Sequence, residues 1–126
     1  MTPKKRILLV DDEKSLTTLM KLNLEESGRY EVRVENWPED AQAAAREFKP
    51  DLVLLDIIMP RLPGGDVAAL FKADPQLKDV PIVFLTAAVR KSQVEDHEGY
   101  ICDYPCLAKP ATAEEVMAMI EKHLRK

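Results

Sequence analysis

Five strand-like runs alternate with segments of helical periodicity, and that alternation narrows what this chain can fold into. Residues 6–10 (RILLV), 52–55 (LVLL) and 80–85 (VPIVFL) are near-continuous apolar runs, the pattern of strands covered on both faces. Residues 30–34 alternate Tyr30, Val32 and Val34 against Glu31 and Arg33, which predicts a half-buried strand near a sheet edge. A short fifth strand is expected over 104–108. Between them, Leu16, Leu19, Met20 and Leu24 recur at helical spacing, and Gly28 can stop that helix. Pro38 suits a first helical turn, and Ala41, Ala44, Ala45 and Phe48 line one face after it. Gly64 and Gly65 precede a short helix carrying Val67, Leu70 and Phe71, and residues 90–98 read as a charged, weakly amphipathic helix. Thr112 and Glu115 have capping-box spacing ahead of a helix with Val116, Met119, Ile120 and Leu124 inward. Serial strand–helix units with short links imply an α/β fold, a parallel sheet with helices on both faces.

Bulk properties bound the function. At 126 residues the expectation is a single domain, 1–126, with no output domain in this chain. A net charge of -4 argues against nucleic-acid or anionic-membrane binding, which want basic patches. The basic cluster Lys4-Lys5-Arg6 reads as a solvated flank. No apolar run reaches membrane-spanning length, and no signal peptide is evident, so a cytoplasmic location is expected. Cys102 and Cys106 lack the second ligand pair of a zinc site and read as reduced thiols. His97, His123 and Trp37 read as solvated or packing residues.

In open α/β sheets ligands sit beyond the C-terminal strand ends. There the sequence puts Asp11 and Asp12 after the first strand, Asp56 after the third, Thr86 then Ala87 after the fourth, and Lys109 then Pro110 after the fifth. Clustered carboxylates disfavour one another's ionisation and call for a cation. An all-oxygen set suits Mg²⁺. A carboxylate can act as nucleophile toward phosphorus, and Lys109 and Thr86 can then hold the oxygens of the dianion. Asp12 alone would more simply be a helix cap; its partners shift the balance.

The segments "LLVDDE", "PDLVLLDIIMP", "PIVFLTA" and "LAKP", in this order, resemble the receiver domain of two-component response regulators over nearly the whole chain. The resemblance implies a flavodoxin-like (βα)5 doubly wound fold with strand order 2-1-3-4-5. It implies Asp56 as the phosphorylated residue, with Thr86 and Lys109 binding phosphoryl oxygens. Mg²⁺ would be held by Asp12, Asp56 and the Ile58 carbonyl, with Asp11 helping through water; Ala87 is expected among the cofactor-binding positions. The Lys109–Pro110 bond would be cis. The implied partner is a sensor histidine kinase or histidine phosphotransfer protein that supplies phosphohistidine. A homodimer through the face of the fourth helix, fifth strand and fifth helix is a further expectation, with no nucleic-acid or membrane contact. The domain would catalyse only its own phosphorylation and dephosphorylation.

Some positions depart from the family pattern. Cys106 stands where an aromatic is usual, with Tyr104 two residues earlier on the same face, and Ala111 replaces a phenylalanine. The segment from Gly99 to Tyr104 is longer than usual. Ile58 and Ala88 flank the expected path of water and cannot orient it, which predicts slow self-dephosphorylation. A receiver-like interaction module that works without phosphorylation is the main alternative. A phosphoaspartate phosphohydrolase would want an acid at Ile58, and an FMN carrier would want a glycine- and hydroxyl-rich loop in place of "DDEKS".

Overall fold

The structure, a computed structural model, describes residues 3–57, 59, 62–86, 100–101, 104–109 and 111–124. The strands are β1 (Lys5–Val10), β2 (Tyr30–Glu35), β3 (Leu52–Leu55), β4 (Ile82–Thr86), β5 (Tyr100–Ile101) and β6 (Tyr104–Ala108). The helices are α1 (Lys14–Glu26), α2 (Ala41–Phe48) after a 3-10 turn at Pro38–Asp40, α3 (Gly64–Ala73) and α4 (Ala113–His123). Five strands run parallel in the order β2-β1-β3-β4-β6, the 2-1-3-4-5 arrangement that the family resemblance implied. The two-residue β5 adds an antiparallel edge to β6, through Tyr100 opposite Pro105 and Ile101 opposite Tyr104. The expected helix over residues 90–98 lies outside the described residues, as do Cys102 and His97.

Successive strand residues point to opposite faces, and the central strands are apolar on both. Leu8, Val10, Val53, Leu55, Ile82, Phe84, Cys106 and Ala108 pack with α2 and α3. Ile7, Leu9, Leu52, Leu54 and Val83 pack with α1 and α4. Such strands leave no room for charge along their length, so charged groups collect at their ends. The inner face of α1 is Thr17, Met20 and Leu24, whereas Leu19 is 56% exposed. Leu70 is likewise 42% exposed while Val67, Ala68 and Phe71 face inward. Helical spacing alone does not separate the buried stripe from its neighbours.

Helix boundaries follow local chemistry. Gly28 adopts φ 78 at the end of α1, a left-handed conformation that favours glycine. Thr112 Oγ1 accepts from the Glu115 N–H, and the Glu115 carboxylate accepts from the Thr112 N–H, completing the capping box of α4. Asp74 holds the exit of α3: its carboxylate accepts from Gln42 Nε2, the Gln76 N–H and Arg46 Nε, and these bonds keep it below the usual carboxylate range.

The C-terminal helix is fastened to the β2 edge by polar contacts. The buried Tyr30 phenol donates to the Glu121 carboxylate, and Arg29 Nη1 reaches the same carboxylate at 3.2 Å. Burial, then the bond to Glu121, pushes the Tyr30 phenol from 10.0 up to about 12. The fold therefore favours the neutral phenol, a contribution complete below pH 10.0 and lost as pH rises to about 12. In phenolate absorbance read just after a jump to alkaline pH, one tyrosine should ionise near pH 12 and be missing from Tyr30→Phe.

Candidate functional site

Parallel pairing brings the ends of β1, β3, β4 and β6 to one edge. Val10 pairs with Leu55, Leu55 with Phe84, and Thr86 with Ala108. The next residues are Asp11, Asp56 and Lys109. The Asp56 N–H donates to the Val10 carbonyl at 3.0 Å, which extends the ladder one step and seats Asp56 beside Asp11. Oxygens of Asp11, Asp12 and Asp56 all lie within 4.8 Å of one another. Asp11 is 1% and Asp56 5% exposed. Asp12 is the most exposed of the three.

Lys109 points into this cluster. Its Nζ lies 2.6 Å from Asp11 Oδ2, 3.5 Å from Asp56 Oδ2 and 3.9 Å from Glu13 Oε1. Burial works against the lysine's charge, but the bond to Asp11 and the negative charges of Asp11, Asp56 and Glu13 outweigh it and raise its pKa. The ammonium therefore persists at every physiological pH. Its stabilising contribution is present below its ordinary value of 10.5 and is lost only as pH rises through the elevated value. At formal charge, three carboxylates against one ammonium leave an excess of two negative charges, the complement of a divalent cation.

The bland role for Asp12 is not the one it takes. The N-cap of α1 is Glu13, with no side-chain capping bond. The Glu13 N–H instead donates to Asp11 Oδ1 at 3.0 Å. Asp11 thus organises the loop while Asp12 leaves its carboxylate at the mouth. The oxygen-only donor set fits a hard cation with room for further oxygens.

One constraint on Asp56 comes from a residue with no functional group. The Gly64 N–H donates to the Ile57 carbonyl at 2.8 Å, folding the start of α3 back over the end of β3. A Cβ at Gly64 would overlap the Asp56 carbonyl oxygen and come within 2.8 Å of Ile57 Cα. The glycine pair was visible in the sequence as a helix start; its contact with the Asp56 backbone was not.

Thr86 ends β4 in register with Ala108, so its backbone reaches the same edge. Ile58, Ala87, Ala88 and Pro110 lie outside the described residues, and so do the carbonyl, cofactor and cis-peptide expectations placed on them. At the position of the usual aromatic, Cys106 is a free, buried thiol paired with Phe84, and burial pushes it up to about 11. Tyr104 stands edge-on to Phe84 with ring centroids 5.1 Å apart, and Lys72 Nζ lies 5.7 Å from its centroid. Its ring thus ties β6 to β4 and α3.

A protein-family description, the response regulator receiver domain, matches residues 7–121. The chain belongs to that family. A DNA-binding dual master transcriptional regulator, RpaA, of Synechocystis is 32% identical over 96% of this chain and 49% of its own length. The alkaline phosphatase synthesis transcriptional regulatory protein PhoP of Bacillus subtilis is 37% identical over 97% of this chain and 49% of its own. In fold, the chain superposes on the chemotaxis protein CheY4 of Vibrio cholerae with TM-score 0.82 at 24% identity, covering 97% of this chain and all of that one. The protein is thus a phosphoacceptor-type signalling domain of two-component systems, related to response regulators.

The receiver spans about half the length of these curated relatives. Their names also correct one expectation. The absence of nucleic-acid contact was inferred from a mild negative charge, yet RpaA is DNA-binding and PhoP a transcriptional regulator. Charge over one half of such a protein says nothing about the surface of the other half. No helix among the described residues is long and apolar enough to cross a membrane.

Substituting Gly64→Ala should force the β3–α3 junction apart and lower stability by about 1–3 kcal/mol, the usual cost of overpacking a tight contact. The urea midpoint measures it, and Gly65→Ala, where an added Cβ meets nothing within 4 Å, is the control.

Proposed function

We propose that Asp56 is the phosphoacceptor of this receiver. The observation that carries the reading is the convergence of Asp11, Asp12 and Asp56 within 4.8 Å, with Lys109 Nζ 3.5 Å from Asp56. An Asp56 carboxylate oxygen attacks the phosphorus of a phosphohistidine. A P–O bond forms, the P–N bond breaks, and the imidazole leaves with the electron pair and takes a proton. The ammonium of Lys109 neutralises charge on the phosphoryl oxygens, which then compete with Asp11 for it. Thr86 is assigned a hydroxyl contact to the same oxygens, and Ala87 a place beside them.

Asp12 and Asp56, with Asp11 through water and the Ile58 carbonyl, are the groups assigned to Mg²⁺. When bound, the ion supplies the two positive charges the cluster lacks. The domain promotes only its own phosphorylation and dephosphorylation. The donor is a histidine kinase or histidine phosphotransfer protein. A free, buried Cys106 fits the reducing cytoplasm in which such a relay would operate.

Incubation with Mg²⁺ and acetyl phosphate should add one phosphoryl mass to the wild-type chain and none to Asp56→Asn. Addition to Asp56→Asn, or none to wild type, contradicts the assignment. Loss of the group in donor-free buffer should be slower in wild type than in Ile58→Asn, because isoleucine cannot orient the attacking water. An interaction module that needs no phosphorylation would show no such labelling.

A further inference from the structure

The β1–α1 loop is tethered to the end of β2 by one side-chain amide. Asn36 Nδ2 donates to the Asp11 backbone carbonyl at 2.8 Å and to Thr17 Oγ1 at 3.0 Å. Thr17 gives its own proton to the Lys14 carbonyl at 3.0 Å, so toward Asn36 its oxygen acts as acceptor. A carbonyl can only accept. Both partners therefore require the NH₂ end of the amide, and the chemistry itself settles which way Asn36 faces. Thr17 and Asp11 are each 1% exposed, so water does not readily replace these bonds.

The rest of Asp11 is held as well. Its N–H donates to the Glu35 carbonyl at 3.2 Å, one carboxylate oxygen accepts from the Glu13 N–H, and the other faces Lys109. What Asn36 adds is specific to the carbonyl. The Asp11 carbonyl and the Asp12 N–H belong to one planar peptide unit. Fixing that plane fixes where Asp12 leaves the backbone. Asp12 is the most exposed of the three acids, so it gains most from being aimed through its backbone.

We propose that Asn36, seated by Thr17, is a positioning residue: it sets the peptide plane between Asp11 and Asp12 and so aims the Asp12 carboxylate at the cation shared with Asp56. The inference rests on the magnesium reading above and goes beyond it by extending the site to Asn36, the residue that follows β2.

The test is a Mg²⁺ titration of the unphosphorylated protein, by calorimetry and by fluorescence of Trp37, the one tryptophan in the chain, with urea unfolding of the metal-free protein alongside. Asn36→Ala should raise the Kd for Mg²⁺ by about three- to tenfold, the worth of one or two shielded neutral hydrogen bonds. Thr17→Val, nearly the same shape, should do the same by unseating the amide. Thr17→Ser keeps the hydroxyl and should restore a Kd within about twofold of wild type. A merely structural Asn36 would lower the urea midpoint and leave the Kd alone. Folded Asn36→Ala and Thr17→Val proteins with wild-type Kd overturn the inference while the magnesium site stands. A wild-type protein that takes up no Mg²⁺ overturns both.

Discussion

The partly buried ammonium of Lys109 between Asp11 and Asp56 is the interaction on which the rest of this molecule turns. The central strands of a parallel sheet, covered on both faces, cannot hold charge along their buried length, because a charge without partners in that layer is too costly. It can hold charge where the strands stop, provided opposite signs meet. β1 and β3 deliver acids there, β6 delivers the base, and pairing through β4 sets their spacing. The same contact that makes the acidic edge tolerable leaves it short of positive charge. A stable fold and a carboxylate cluster of the kind that could hold a metal thus come from one arrangement.

The three carboxylates are not equivalent. Asp11 is buried and holds both Lys109 and the turn into α1. Asp12 sits at the mouth, where a metal and its waters can reach it. Asp56 lies between, its backbone pinned by Val10 on one side and by the close approach of Gly64 on the other. In the proposed reaction, a dianion arriving on Asp56 changes which acid holds Lys109. That exchange is local, but β6 carries Lys109 at one end and Tyr104 at the other, and Tyr104 touches Phe84 and Lys72. The pocket is thus linked to α3 through packed side chains of β6 and β4.

Much of this was legible in the residues alone. Apolar runs that end in Asp11, Asp56 and Lys109 announce strands whose ends carry the chemistry, and the strand–helix alternation announces a parallel sheet. The parts that escaped are those that pattern does not encode. Spacing groups Leu19 and Leu70 with their helical neighbours without saying which face is buried, whereas Thr17 takes its buried place through hydrogen bonds to Lys14 and Asn36. A two-residue strand such as Tyr100–Ile101 has no period to detect. The need for glycine at 64 and for an amide at 36 arises from backbone atoms distant in the chain. The kinship with DNA-binding regulators lay beyond any charge count on this half.

A crystal structure of the wild-type protein with Mg²⁺ and beryllofluoride, a tetrahedral mimic of the phosphoryl group, tests the central role of Lys109 most directly. The expected result is beryllium bonded to an Asp56 carboxylate oxygen, the metal between Asp12 and Asp56, and Lys109 Nζ turned from Asp11 onto the fluorides. Beryllofluoride on another residue, or Lys109 still paired with Asp11 beside an occupied Asp56, would contradict this account.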